Sequence, residues 1–270
     1  MPPAKPDRPS LCAVVGSDRV VMLDAGASET HARQFLDLLT LEGIASPQHI
    51  VLTHWHWDHV FGACEVGAPV IAHALTADKL YELSKRDWSD TGLKQQVAKG
   101  LETREGAENI KAEMPSPRYV NVPKADIVFN HSMNLKLGDV TCRIQHVGGD
   151  HSQDSTIVFV VPDRVLFLGD CLSSDFYAPE PFYTLQQLTS LLDTIESLNA
   201  ASYVEGHAPN ISTQSEFKKE ISKMRYAIDL VREAGPDEKK VFTVFEETKG
   251  VPPDEDSAYY LRALIKGLSF

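Results

Sequence analysis

A chain of 270 residues with 43% hydrophobic and 24% charged positions has the balance of a globular protein and is long enough to bury a core without covalent staples. Its 26 Lys and Arg against 38 Asp and Glu leave a net charge of −12. With no dense basic block, nucleic acid is excluded as the expected partner. The four cysteines, Cys12, Cys64, Cys142 and Cys171, form no Cys-x-x-Cys pair, which excludes a zinc ribbon or dithiol redox motif and makes buried, packed thiols the expectation.

Met1 to Ser10 holds four prolines and both charge signs, which reads as a flexible tail rather than a secretory leader. No apolar run approaches the roughly 20 residues of a membrane span, so a cytoplasmic location without membrane contact is expected. Leu11 to Val15 and Arg19 to Asp24 predict a hairpin about Gly16-Ser17-Asp18. Ser28 can cap a helix carrying Ala32, Phe35, Leu36 and Leu39 at helical spacing, with Gly43 ending it. His49 to Thr53 predicts a buried strand, and Pro69 to Ala72 another.

From Ala74 to about Lys124 the pattern turns polar and helical, with helices expected at Lys79 to Lys85 and Leu93 to Lys111. This stretch, about 74–124, reads as an insertion covering the site discussed below, its Tyr81, Trp88 and Tyr119 packing onto the core. Strands resume at Asp126 to Asn130, Asn134 to Leu137 and Val140 to Val147. Ser155 to Val161 and Arg164 to Leu168 form a second hairpin, whose Asp163-Arg164-Val165 echoes Asp18-Arg19-Val20 and suits a fold of two related halves. Thr184 to Leu198 is an amphipathic helix, Ser202 to Glu205 a strand, and Thr213 to Ala234 a long helix. The segment 236–270 is a helical extension, too apolar for a free tail, that packs back on the domain or supplies a homo-oligomer contact.

The densest chemistry lies in His54-Trp55-His56-Trp57-Asp58-His59, three imidazoles and a carboxylate within six residues. Read as an extended continuation of the preceding strand, it projects His54, His56 and Asp58 to one side and His59 elsewhere. That nitrogen and oxygen set suits zinc or a similar metal, and its density suggests two ions. His151, Asp170 and His207 each follow a predicted strand, on loops where sites are usually built.

Together, His54-x-His56-x-Asp58-His59, Gly149-Asp150-His151, Leu168-Gly169-Asp170, Gly206-His207 and the upstream Leu23-Asp24-Ala25-Gly26 resemble the metallo-β-lactamase superfamily over roughly residues 11–210. The resemblance implies an α/β fold, a four-layer αβ/βα sandwich of two mixed sheets flanked by helices, in a single domain. It implies two divalent metal ions, zinc first, with iron or manganese as alternatives. His54, His56 and His151 would hold one ion, Asp58, His59 and His207 the other, with Asp170 between them and Asp24 supporting the histidine loop from behind. A hydroxide shared by the ions would attack a small-molecule ester, lactone, thioester or lactam, and Asp58 would orient it and return a proton to the leaving group. The expected activity is therefore that of a dinuclear metallohydrolase: lactonase, thioesterase or β-lactamase-like. A diiron redox or dioxygenase enzyme, or a metal-binding protein without catalysis, is the alternative.

The sequence departs from the family where Gly149-Asp150 replaces a common Pro-Gly, and Asp150 reads as a solvated loop carboxylate. Ser173 stands where lactonases of this superfamily place a tyrosine, with Tyr177 nearby. Trp57, Phe61 and Tyr177 are the candidate pocket residues, alongside Trp55, Phe176, Phe182 and Tyr183.

Overall fold

A computed structural model describes residues 1–270. Two sheets face each other. The first has the order β1 (Cys12–Val15), β2 (Val20–Leu23), β3 (His49–Val51), β4 (Val70–His73) and β5 (Ile127–Phe129). The second runs β11 (Ser212–Thr213), β10 (Ser202–Glu205), β9 (Val165–Gly169), β8 (Thr156–Val161), β7 (Thr141–His146) and β6 (Ser132–Lys136).

Strand alternation builds three cores from these sheets. Val21 and Leu23 of β2 meet Val158, Val160 and Phe167 of β8 and β9 between the sheets, while Met22 points the other way, toward the helices outside. On the second sheet, Ile157, Phe159, Leu166 and Leu168 likewise turn outward. A strand buried on both faces has no polar side, which is why these segments read as continuous apolar runs.

Outside the first sheet lie α1 (Glu29–Leu41), α4 (Ala74–Leu83), α5 (Asp90–Ala98) and α6 (Arg104–Glu113). Outside the second lie α7 (Leu185–Ser197), α8 (Gln214–Ala234), α9 (Glu238–Lys249) and α10 (Glu255–Gly267). Short turns α2 (Trp57–Val60) and α3 (Ala63–Val66) fall between β3 and β4. The layering is therefore αβ/βα, as the resemblance implied. No helix is long and apolar enough to cross a membrane.

Three local expectations change. The single helix expected over Leu93 to Lys111 is two, because Gly100 takes φ +67° and Thr103 caps a new start, its hydroxyl accepting from Gly106 N–H. The helix expected from Lys79 begins at Ala74, with the His73 ring accepting from Leu75 N–H. The proline-rich first ten residues are docked rather than loose: Arg8 donates to Glu113 at 2.8 Å and Gln34 at 2.7 Å, and Ser10 N–H donates to Gly206 O at 2.6 Å. Composition alone cannot show a partner 105 residues away, and prolines reduce the entropy lost on docking. In the C-terminal extension, Leu261, Ala263 and Leu264 are buried in the same chain's core, and Tyr183 N–H donates to Ala263 O. Leu268 and Phe270, from the same segment, stay exposed.

Candidate metal centre

The six-residue motif does not continue β3 as an extended strand. After Thr53 and His54 the backbone turns at His56 (φ −58°, ψ 143°) into the one-turn helix α2, whose first turn holds Asp58 and whose last holds His59. Helical geometry rotates Asp58 away from His54 and His56, so the side chains sort differently from the strand expectation. His54, His56 and His151 converge as one group, and Asp58, His59, Asp170 and His207 as another, the ligand atoms within each lying within 4.8 Å of one another.

Asp170 joins the groups. Its Oδ2 lies 3.3 Å from both His59 Nε2 and His207 Nε2, and 3.8 Å from His151 Nε2 across the divide. Asp58 Oδ2 stands 3.2 Å from His59 Nε2 and 3.1 Å from His207 Nε2. The Nε2 atoms of His54 and His151 are 3.2 Å apart.

The far sides of three rings are fixed by hydrogen bonds. His59 Nδ1 donates to Asp24 Oδ2 at 2.8 Å, and His151 Nδ1 to Ser174 O at 2.9 Å. His54 Nδ1 lies 3.0 Å from Thr53 Oγ1, which itself donates to Asp24 Oδ2. Each bond protonates Nδ1 and leaves the Nε2 lone pair facing the centre, the tautomer a metal requires. Asp24 also accepts from Thr53 N–H at 2.7 Å, so one fully buried carboxylate holds both ends of the histidine motif.

Burial and mutual charge set the protonation of these groups. Burial, then the neighbouring imidazoles, lowers the pKa values of His54 and His56, which keeps both neutral near pH 7. Burial opposes the charged form of His59 as well, but Asp58, Asp170 and Asp24 outweigh it and raise its pKa. Asp170 and Asp58 are held below the ordinary carboxylate range, burial being overcome by His59 and His207. Two observations test the fit of a metal directly: His59 Nε2 and Asp170 Oδ1 are buried polar atoms without a hydrogen-bond partner. Such orphans are costly unless something absent from the protein's own atoms satisfies them. Two divalent ions, displacing the imidazole protons, fit this donor set.

Close approach is enforced at Gly206, where a Cβ would stand 1.9 Å from Asp170 Oδ1. Cys171, beside Asp170 in sequence, packs into the core and joins neither group.

The candidate pocket residues divide. Tyr177 stands at the site, stacked on Trp55 with centroids 5.1 Å apart and edge-on to His56 at 5.2 Å. Trp57 borders the cleft but is almost wholly buried. Phe61 does not line it: it packs against Trp88 at 4.8 Å in the core under α2, because the helical turn carries it inward. Trp88 packs as expected, whereas Tyr81 and Tyr119 are exposed. Asp150 is no solvated loop residue: half-buried, it accepts from Thr184 N–H and Oγ1–H at 2.9 Å and caps the start of α7.

Sequence reading missed Glu102, Ser174 and Asp7. Glu102 Oε2 approaches the Tyr177 hydroxyl at 3.5 Å, and burial pushes its pKa up to about 7. Ser174 acts through its carbonyl, which any residue would supply, so no signal could mark it. Asp7 lies 3.8 Å from His207 Nδ1; a carboxylate in a proline-rich tail gives no hint of this.

A four-layer αβ/βα sandwich that gathers five histidines and two aspartates at one end of facing sheets defines a metal-site architecture. The chain belongs to the metallo-β-lactamase superfamily, whose family model matches residues 6–207. No curated protein sequence matches it. Among solved structures, it is similar to a metallo-β-lactamase from Pontibacter korlensis at 20% identity, covering 78% of this chain and 84% of that one with a TM-score of 0.53. A metallo-β-lactamase family protein from Thermus thermophilus matches at 15% identity over 100% of this chain and 91% of that one, TM-score 0.56. The sec-alkylsulfatase Pisa1 from Pseudomonas sp. matches at 12% identity over 96% of this chain but 46% of its own, TM-score 0.65. At these identities the likeness establishes the fold.

Proposed function

We propose that the protein is a dinuclear metal-dependent hydrolase of small organic esters, lactones, thioesters or lactams. The observation carrying this reading is the pair of ligand groups with its orphaned His59 Nε2 and Asp170 Oδ1. His54, His56 and His151 would hold one ion and Asp58, His59 and His207 the other, with Asp170 between them; zinc suits these donors. Bound ions would supply water ionised near pH 7 and an electrophile for the scissile group.

The chain's own residues do the rest. Asp58 lies 3.2 Å from His59 Nε2 and 3.1 Å from His207 Nε2, and in this reading it would orient the attacking water and help carry its proton to the leaving group. A cleft of about 930 Å³ opens onto His56, Asp58, His151, Asp170 and His207. Phe176, Tyr177, Tyr183 and Tyr259 give it an organic lining. Burial raises the Tyr177 pKa, so its phenol remains a hydrogen-bond donor. Asp7, Glu205, Glu220 and Asp256 also line the cleft, and no lysine or arginine does. That charge works against polyanionic substrates and supports a neutral or cationic one.

Lactone, thioester, β-lactam and phosphodiester panels assayed with zinc-loaded protein test the reading. Turnover of a carboxylic acid derivative is expected. Turnover of phosphodiesters alone, or of nothing with two ions bound, would overturn it.

A further inference from the structure

We infer that Asp7, from the segment before the first strand, is a positioning residue for His207; this rests on the dinuclear reading above. Three of the five imidazoles have an Nδ1 anchored behind the centre: His54 by Thr53, His59 by Asp24 and His151 by Ser174 O. His207 has no such anchor on its own loop, and its side chain is 38% exposed whereas that of His59 is fully buried. Its Nε2 faces Asp58 and Asp170, which turns Nδ1 toward Asp7 Oδ1 at 3.8 Å. At that separation the pair is an ion-pair contact, and binding of a metal at Nε2 would draw it to a hydrogen bond.

The tail is built to keep Asp7 there. Arg8 is clamped by Glu113 and Gln34, Asn109 donates to Asp7 Oδ2 at 3.3 Å, and Ser10 N–H is bonded to the carbonyl of Gly206, immediately before His207. Asp7 Oδ1 is left facing the imidazole. A carboxylate behind a ligating imidazole fixes its tautomer and raises its basicity, and losing one typically weakens metal binding about 10–100-fold. The first ten residues thus complete the second ligand group as part of the site.

Zinc affinity of the full chain, measured by chelator competition in the wild type and in Asp7→Ala, Asp7→Asn and Asn109→Ala variants, tests this. The wild type should bind two equivalents. Asp7→Ala should retain the first and bind the second about 10–100-fold more weakly. Asp7→Asn, whose amide oxygen still accepts from Nδ1, should recover part of the loss, and Asn109→Ala, which removes one of the bonds holding Asp7 but leaves its carboxylate, should weaken the second ion by clearly less than Asp7→Ala does. If Asp7→Ala binds both ions normally, or Asn109→Ala reproduces its loss, Asp7 only anchors the tail and the inference fails. A wild type that takes up fewer than two equivalents removes the dinuclear reading itself, a result visible before any variant is compared.

Discussion

The two sheets carry the same device used in two ways. In the first half, the antiparallel hairpin β1–β2 leads through α1 to β3, which pairs parallel to β2 and releases the chain at His54. In the second, the antiparallel pair β8–β9 leads through α7 to β10, parallel to β9 and ending before His207. Both central strands finish in a left-handed turn beside an aspartate. In the first turn Asp24 itself takes φ +55°, and its carboxylate goes beneath the histidine loop to Thr53 and His59. In the second, Gly169 takes φ +53°, and Asp170, one residue on, reaches the centre between the imidazoles. One residue of offset separates a carboxylate that supports ligands from one that is placed to be a ligand. The halves touch here, where Gly169 approaches the Thr53 side chain so closely that a Cβ would stand 2.7 Å from Oγ1, and where Thr156 N–H donates to Thr53 O.

The sharpest break in this comparison is at Asp170. Asp170→Ala should abolish turnover and lower the metal content, and full activity in that variant would show that it does not bridge. Asp24→Asn preserves shape at a left-handed position that Asn tolerates, yet removes the charge under His59. It should weaken metal binding about 10–100-fold while leaving some turnover. Equal losses from the two substitutions would erase the distinction between the halves.

A smaller effect comes from the helical stretch α4 to α6 between β4 and β5, which has no counterpart in the second half. Glu102 is buried with its pKa raised to about 7, against about 4.5 for an exposed glutamate. The folded state therefore binds the extra proton between these values, so this group's stabilising contribution is complete below about pH 4.5 and is lost as pH rises through 7. Glu102→Gln should melt like the wild type at pH 4 and higher than the wild type at pH 8. A variant indistinguishable at both would show that the carboxyl is not protonated in the fold. Because Glu102 meets Tyr177, the same titration should be visible in the Tyr177 environment.

That these seven side chains gather at one place was legible in the sequence because each candidate follows an apolar strand, and a strand end is a fixed place. Its local geometry was not. The period-2 expectation carried Asp58 to the side of His54, whereas the chain folds into a helical turn at Trp57, where Trp57, Val60 and Phe61 pack into the core shared with α1 and α4 to α6. The docking of Met1 to Ser10 and the half-buried Asp150 cap depend on partners far along the chain, Glu113 and Thr184, which neither propensity nor spacing encodes. Gly100, by contrast, separates α5 from α6 through a cue the sequence carried plainly.

The central claim is that the two halves together hold two ions. Anomalous scattering from crystals of the zinc-loaded protein measures this directly. Two peaks are expected, one among His54, His56 and His151 and one among Asp58, His59 and His207, with Asp170 between them. A single peak, or none at the centre, would contradict it.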